Sequence, residues 1–419
     1  MVNDLRRLLR DSVTAPPPDR MRMTDVLGTG KRKVRRRRTA ALAGVAAAVI
    51  GIVGLAGLVG GGMSPRPDDS SVADRSNDPV GRVLRLDDAE AAKEGRDYDV
   101  LTTQTNAHLD QENGQYFDGF TDDGLVFVQD GPRGKDSRVR YGLLDPETGI
   151  RSWLPTPPVH LEQPIHLGRY RLLLRAAAAP AGENGPGVWS YDRRTRQWRH
   201  LEWPDLPAGA EYSGTVLGPD NRLYVGLASG SDGETFDLWS VAIDDPADVR
   251  DEKTEVGDFD IAGTRLVWTD VSSRPISKVT VRDLETDEED SFDPQSGDRC
   301  NQLELQATAT RIVLTEHCGT KDRVRDDRIQ VVDYDGEPVL TVRGDGSDIA
   351  QAGDDRLLVD SYGPKPGSYL YRFDTGDWLR VTEETSRYGL INDAWADLQT
   401  WHTPANGWRG AKQWVVRLK

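Results

Sequence analysis

Gly353-Asp354-Asp355-Arg356-Leu357-Leu358-Val359 sets a polar turn directly against an aliphatic run. Gly and Asp supply turn backbone, and a short apolar run after them reads as a buried strand. The same order of residues recurs outward from this stretch. It appears as Thr121-Asp122-Asp123-Gly124-Leu125-Val126-Phe127-Val128 and as Gly168-Arg169-Tyr170-Arg171-Leu172-Leu173-Leu174. It returns at Gly218-Pro219-Asp220-Asn221-Arg222-Leu223-Tyr224-Val225, at Ala262-Gly263-Thr264-Arg265-Leu266-Val267-Trp268 and at Ala309-Thr310-Arg311-Ile312-Val313-Leu314. A weaker seventh copy is Trp395-Ala396-Asp397-Leu398-Gln399-Thr400-Trp401. The leading aliphatic residues are Leu125, Leu172, Leu223, Leu266, Ile312, Leu357 and Leu398, spaced by 41 to 51 residues.

A second marker follows each of the first six. It is a strand that ends in an Asp-led turn, as in Leu144-Asp145-Pro146-Glu147-Thr148-Gly149, Tyr191-Asp192, Ile243-Asp244, Val281-Arg282-Asp283, Val332-Asp333-Tyr334-Asp335-Gly336 and Phe373-Asp374-Thr375-Gly376. An Asp carboxylate bonds the amides of such a turn. Four short strands joined by hairpins, repeated about every 45 residues, are the pattern of a propeller blade. The last copy ends with Trp414-Val415-Val416-Arg417-Leu418 and lacks a fourth strand. An open ring would expose a strand edge, so an N-terminal strand is expected to close it. Val80–Leu86 and Val100–Thr105 are the two candidates. The expected fold is all-β, a seven-bladed β-propeller over residues 80–419.

The repeats resemble the broad β-propeller superfamily, and the Asp-x-x-Thr-Gly turns resemble those of TolB-type and quinoprotein-type propellers. They differ from WD repeats, since no Trp-Asp dipeptide ends the copies. The resemblance implies a fold and names no ligand.

Everything before Tyr98 is different. All 30 aromatic residues lie at or after Tyr98. Residues 39–62, TAALAGVAAAVIGIVGLAGLVGGG, carry no charge and are long enough to cross a bilayer, which takes about 20 apolar residues. Lys31-Arg32-Lys33-Val34-Arg35-Arg36-Arg37-Arg38 precedes them. By the positive-inside rule Arg35, Arg36, Arg37 and Arg38 hold the N-terminus in the cytoplasm. The expected layout is a basic tail (1–38), a transmembrane helix (39–62), a disordered linker (63–79) and an extracytoplasmic propeller. A cleaved leader fits less well, because the segment ends in Gly60-Gly61-Gly62-Met63 rather than a small-residue cleavage site. The tail resembles those of actinobacterial envelope proteins in composition.

Residues 1–38 hold 12 Lys/Arg against 4 Asp/Glu, while the whole chain is at −16, so the remainder stands at −24. Such an outer domain excludes general nucleic-acid binding, which needs clustered cations. The two cysteines, Cys300 and Cys318, are expected to sit opposite each other across the Thr308-Ala309-Thr310 hairpin and to form a disulfide outside the cytoplasm.

No nucleophile elbow or paired-histidine metal motif occurs. No catalytic residue, metal ligand or cofactor site is therefore expected. Asp333-x-Asp335-Gly336-Glu337 reads as a hairpin turn rather than a calcium loop, and Asp283–Asp293 as a solvated acidic turn. Trp153, Trp198 and Trp378 fall at similar places in their repeats and are expected to pack. Trp395, Trp401, His402 and Trp408 form a less regular cluster and are the candidate binding surface. The expected function is a membrane-anchored, non-catalytic binding or interaction module, not an enzyme. Its partners would be the bilayer and a protein or glycan ligand. The alternatives are a transmembrane signalling protein and an envelope hydrolase.

Overall fold

The computed structural model describes residues 81–106, 115–131, 139–176, 187–207, 212–228, 235–270, 278–294, 300–321, 324–344, 346–385, 393–407 and 410–419. These residues form seven sheets in a ring, one per repeat, each built on a four-stranded antiparallel meander. The seven-bladed propeller is thus the observed fold. Each of the seven aliphatic markers lies within one residue of the start of the second strand of a blade: Val126–Asp130, Arg171–Ala176, Arg222–Ala228, Arg265–Thr269, Ile312–Lys321, Arg356–Ser361 and Leu398–Ala405. Innermost strands precede them: Gln115–Phe120, Leu161–Leu167, Tyr212–Leu217, Phe259–Ala262, Asn301–Ala307, Ser347–Ala352 and Ala394–Trp395. In a four-stranded meander the first and third turns fall at the same end. Both sequence markers therefore lie on one face of the disc, called here the turn face.

The Asp-led turns work as expected. Asp145, Asp192, Asp283 and Asp333 each accept two backbone amides of the turn that follows. These bonds hold the Asp192 and Asp283 carboxyls below the usual carboxylate range.

The core lies between blades. Alternation along a strand sends successive side chains to opposite faces, and Leu172, Leu173 and Leu174 show the result. Leu172 and Leu174 pack with Phe127, Tyr141 and Leu161 on the blade 1 side. Leu173 packs with Val188, Trp203, Leu223 and Val225 on the blade 3 side. The expected packing tryptophans join neighbours: the Trp198 Nε1–H donates to Pro155 O and the Trp378 Nε1–H to Arg85 O, both at 2.8 Å.

Both N-terminal candidates are used, for different purposes. Strand β1 (Arg82–Arg85) adds in parallel to the outer strand of blade 5, with Leu84 opposite Val342. A single 3-10 turn, Leu86–Asp88, follows. Strand β2 (Glu90–Ala91) adds in parallel to blade 6 beside Leu379 and Arg380. Strand β3 (Tyr98–Asn106) pairs antiparallel with Gly410–Leu418 and is the missing fourth strand of blade 7. So Val100–Thr105 closes the ring, whereas the Val80–Leu86 candidate becomes a fifth strand elsewhere.

Among the described residues no helix is long and apolar enough to cross a membrane. The expected span 39–62, the flanking Arg35, Arg36, Arg37 and Arg38, and the linker 63–79 lie outside the described residues.

Candidate functional site

The innermost strands ring the propeller axis, and most of their acidic and amide side chains are tied up in joining blades. Asp258 accepts the Leu305 amide at 3.0 Å, and Asp260 accepts the Ala307 amide at 2.9 Å, linking blade 4 to blade 5. Gln306 accepts the Ala352 amide at 3.0 Å, linking blade 5 to blade 6. Asp393 accepts the Phe120 amide at 2.8 Å and Gln413 the Phe117 amide at 2.6 Å, closing blade 7 onto blade 1. Buried carboxylates that accept two or three N–H groups are well satisfied.

Asp118 stands apart. It sits with Gly119 in a bulge of the blade 1 innermost strand, where pairing skips between Phe117 and Phe120. Bulges re-aim side chains. Gly119 has φ +124, and a Cβ there would lie 2.7 Å from the Asp393 carboxylate, so only glycine fits. Asp118 is 7% exposed and has no hydrogen bond or ion pair among the described residues. Burial alone pushes its carboxyl up to about 7. Next to it is Tyr141, whose hydroxyl donates to Leu161 O at 2.5 Å. Burial pushes the Tyr141 phenol well up, and the charges of Asp118 and Glu162 add to that. Glu162 itself lies at a second bulge, between Leu161 and Gln163.

A different set of residues gathers at the channel mouth on the turn face. Trp395, from the blade 7 innermost strand, rests on the turn of blade 1, and its Nε1–H donates to Asp122 O at 3.0 Å. Gly124 makes this possible: it has φ +79, and a Cβ there would lie 2.5 Å from the indole. The Asp122 carboxylate accepts the Arg169 amide at 3.3 Å and lies 3.8 Å from His166 Nε2. Burial lowers His166, and the Asp122 charge works against that shift. Arg169 leans over the Tyr170 ring. Tyr170 is 69% exposed and Trp395 37%, both high for such large apolar side chains. Arg193 clamps the edge of the site with two bonds to Asp123.

This arrangement corrects the expected surface. Of its three described residues only Trp395 is exposed. Trp401 is buried against Tyr98, edge to face with ring centroids 5.0 Å apart. His402 is buried on the opposite face of the same strand, toward blade 1 with Gln413. Trp408 lies outside the described residues. Neighbours in sequence along a strand point opposite ways, so a linear cluster does not make a patch. Sequence reasoning missed Asp122, His166, Arg169, Tyr170 and Asp118. One signal was present: Tyr170 puts an aromatic ring in a turn position that the other copies fill with small or polar residues.

Cys300 and Cys318 are joined by a disulfide. Next to it, His317 Nδ1 lies 2.8 Å from Asp327 Oδ1. Asp327 also binds Arg325 and accepts the Gly346 amide, so this histidine–aspartate pair ties blade 5 to the start of blade 6.

No family model matches the chain, and no curated protein matches it. Solved structures do. A Mycobacterium tuberculosis puromycin-hydrolyzing peptidase is similar with 15% identity over 75% of this chain and 52% of its own, TM-score 0.49. The Pyrococcus horikoshii acylaminoacyl peptidase gives 12% identity over 73% and 52%, TM-score 0.49. The Myceliophteria thermophila Cps50 (Swd1) β-propeller domain gives 13% identity over 77% and 100%, TM-score 0.45. These likenesses concern the fold. The chain spans about half the length of the two peptidases. They also correct the expectation that the protein is not an enzyme. Peptidases are among the proteins with a similar fold, and the lack of a catalytic motif is by itself no ground for a non-enzyme.

Proposed function

We propose that the chain is a cell-envelope protein, anchored by residues 39–62, whose propeller binds a peptide or protein ligand at the channel mouth on its turn face. The observation that carries this reading is the exposed pair Trp395 and Tyr170 flanking Asp122, His166 and Arg169. Trp, Tyr and Arg are the residue types that dominate binding energy at protein interfaces. Here three consecutive blades bring all three types together, and glycines hold the backbone clear for them. The test is binding of the full-length protein in detergent to a displayed peptide library and to a glycan array. Trp395→Ala and Tyr170→Ala should each lower peptide binding at least tenfold without altering the melting temperature. Retention only on glycans would replace the peptide reading, and wild-type-like binding by both variants would end it. Anchoring is tested separately: a reporter active only outside the membrane, fused after Lys419, should lose activity when Arg35, Arg36, Arg37 and Arg38 are changed to Glu.

A second reading, an envelope hydrolase, is favoured by the His166–Asp122 pair at the same mouth. An imidazole kept neutral by burial, with a carboxylate near Nε2, is suited to take up a proton. Turnover of chromogenic esters and peptides by the full chain, lost in His166→Gln, supports it. Turnover unchanged in His166→Gln, or no turnover at all, removes it.

A further inference from the structure

We propose that Asp118, buried and unpaired on the innermost strand of blade 1, forms a cation-binding subsite that takes the guanidinium or ammonium group of a basic peptide side chain. This deepens the peptide reading and rests on it for the class of ligand, but its site is separate from the mouth.

Four observations lead to it. First, the innermost-strand side chains Asp258, Asp260, Gln306 and Asp393 are used as links between blades. Asp118 has no such duty. Second, it is nine-tenths buried on a strand that lines the axis, without a partner among the described residues. A buried carboxyl left unpaired is costly, and the cost is recovered when a cation or a proton meets it. Third, the bulge is built around glycine at 119, and Glu162 stands on a matching irregularity in the next blade. Fourth, the domain around the site is strongly acidic, which draws cations to its surface.

The Tyr141 phenol of its own blade feels the charge of Asp118 and that of Glu162 on blade 2, while burial alone acts on Asp118. No arginine, lysine or histidine among the described residues pairs with it. A metal ion is the poorer fit. Among the described residues the close group of three potential metal ligands is Cys300, Glu316 and Cys318, and its two thiols are joined to each other. A buried carboxylate suits an organic cation, and a guanidinium offers it two donors in one plane.

The test uses small probes that need no contact with the mouth. N-acetyl-arginine amide and its neutral isostere N-acetyl-citrulline amide are titrated calorimetrically into the full chain in detergent, at pH 6 and pH 8. The arginine compound should bind about tenfold more tightly at pH 8, because Asp118 ionises between those values. The citrulline compound should bind at least tenfold more weakly. Asp118→Asn should abolish the pH dependence and lower arginine affinity about tenfold. Melting curves check that the Asp118→Asn variant folds. Equal binding of the two compounds, pH dependence that survives in Asp118→Asn, or no binding by the wild type overturns the subsite. Trp395→Ala should leave arginine-amide binding intact, so failure of the mouth reading and failure of this subsite are told apart.

Discussion

Asp260 and Asp118 both stand on innermost strands of the ring, but only one of them has hydrogen-bond partners. Asp260 accepts the amides of Ile261 and Ala307. Asp118 meets no donor, and burial pushes it up to about 7. An unfolded aspartate ionises near pH ~4, so between pH ~4 and ~7 the unfolded chain releases a proton that the folded chain keeps. Stability falls across that window, by an upper bound of about 4 kcal/mol for roughly three pH units. The Asp118→Asn variant should therefore melt higher than wild type at pH 8 and level with it at pH 4. Equal melting points at both values would show that Asp118 is better solvated than its burial implies. The turn carboxylates act the other way. Asp192 and Asp283 are held low by turn amides, so their contribution is present above the unfolded value and lost as acid protonates the folded form. Gly124 gives a second prediction at this scale. Alanine there meets both a positive φ and the Trp395 ring, so Gly124→Ala should cost about 1–2 kcal/mol. It should also raise the exposure of Trp395 to fluorescence quenchers.

At the scale of strands and hairpins, the second strand of each blade was legible because a turn of fixed chemistry precedes a run of Leu, Ile and Val. The Cys300–Cys318 pairing was legible too, by a route the sequence did not reveal. Near the turn Gln306 pairs with Val313, and a bulge at Leu303 then shifts the register so that Asn301 meets His317. That slip of one residue is what puts 300 opposite 318. The disulfide closes a loop of 18 residues, so the Cys300→Ala, Cys318→Ala double variant should lose about 3 kcal/mol, measured by denaturant unfolding. An unchanged midpoint would mean that the strand pairing alone holds this hairpin. Strands β1 and β2 were harder to read. Glu90–Ala91 is two residues long and exposed, and parallel addition to a rim leaves no pattern in so short a segment. Only Leu84 and Leu86, buried between blades 5 and 6, betray the path. Leu84→Asp should destabilise the ring by about 2–4 kcal/mol, whereas Arg85→Glu at an exposed position of the same strand should leave it within about 0.5 kcal/mol. The mouth site was illegible for a different reason. Its residues come from Asp122, the 166–170 turn and Trp395, which are neighbours only once seven blades have closed.

For the molecule as a whole, the path of the N-terminal segment decides how the mouth is presented. Gly81 lies beside Pro338 at the start of the outer strand of blade 5, and Arg82 donates to Gly376 O in the turn of blade 6. Both positions belong to the turn face. The chain therefore enters the propeller on the same face that carries Trp395 and Tyr170. If the proposed helix spans 39–62, the expected linker at 63–79 is the tether. A flexible chain of about 17 residues would have a root-mean-square span of roughly 23 Å. The turn face and its mouth should then look toward the bilayer, open to peptides and narrow segments and shielded from bulky partners. The prediction concerns access. A cysteine placed by Tyr170→Cys should react with a small maleimide in intact cells as fast as in detergent-solubilised protein. A maleimide carrying a large polymer should react more slowly in cells, by about tenfold. Inserting a flexible segment of about 20 residues after Ser71 should restore the large reagent's rate and leave the small reagent's unchanged. Equal labelling by both reagents before the insertion would show that the propeller turns its mouth away from the membrane. The ligand would then have to be sought among large, freely diffusing proteins.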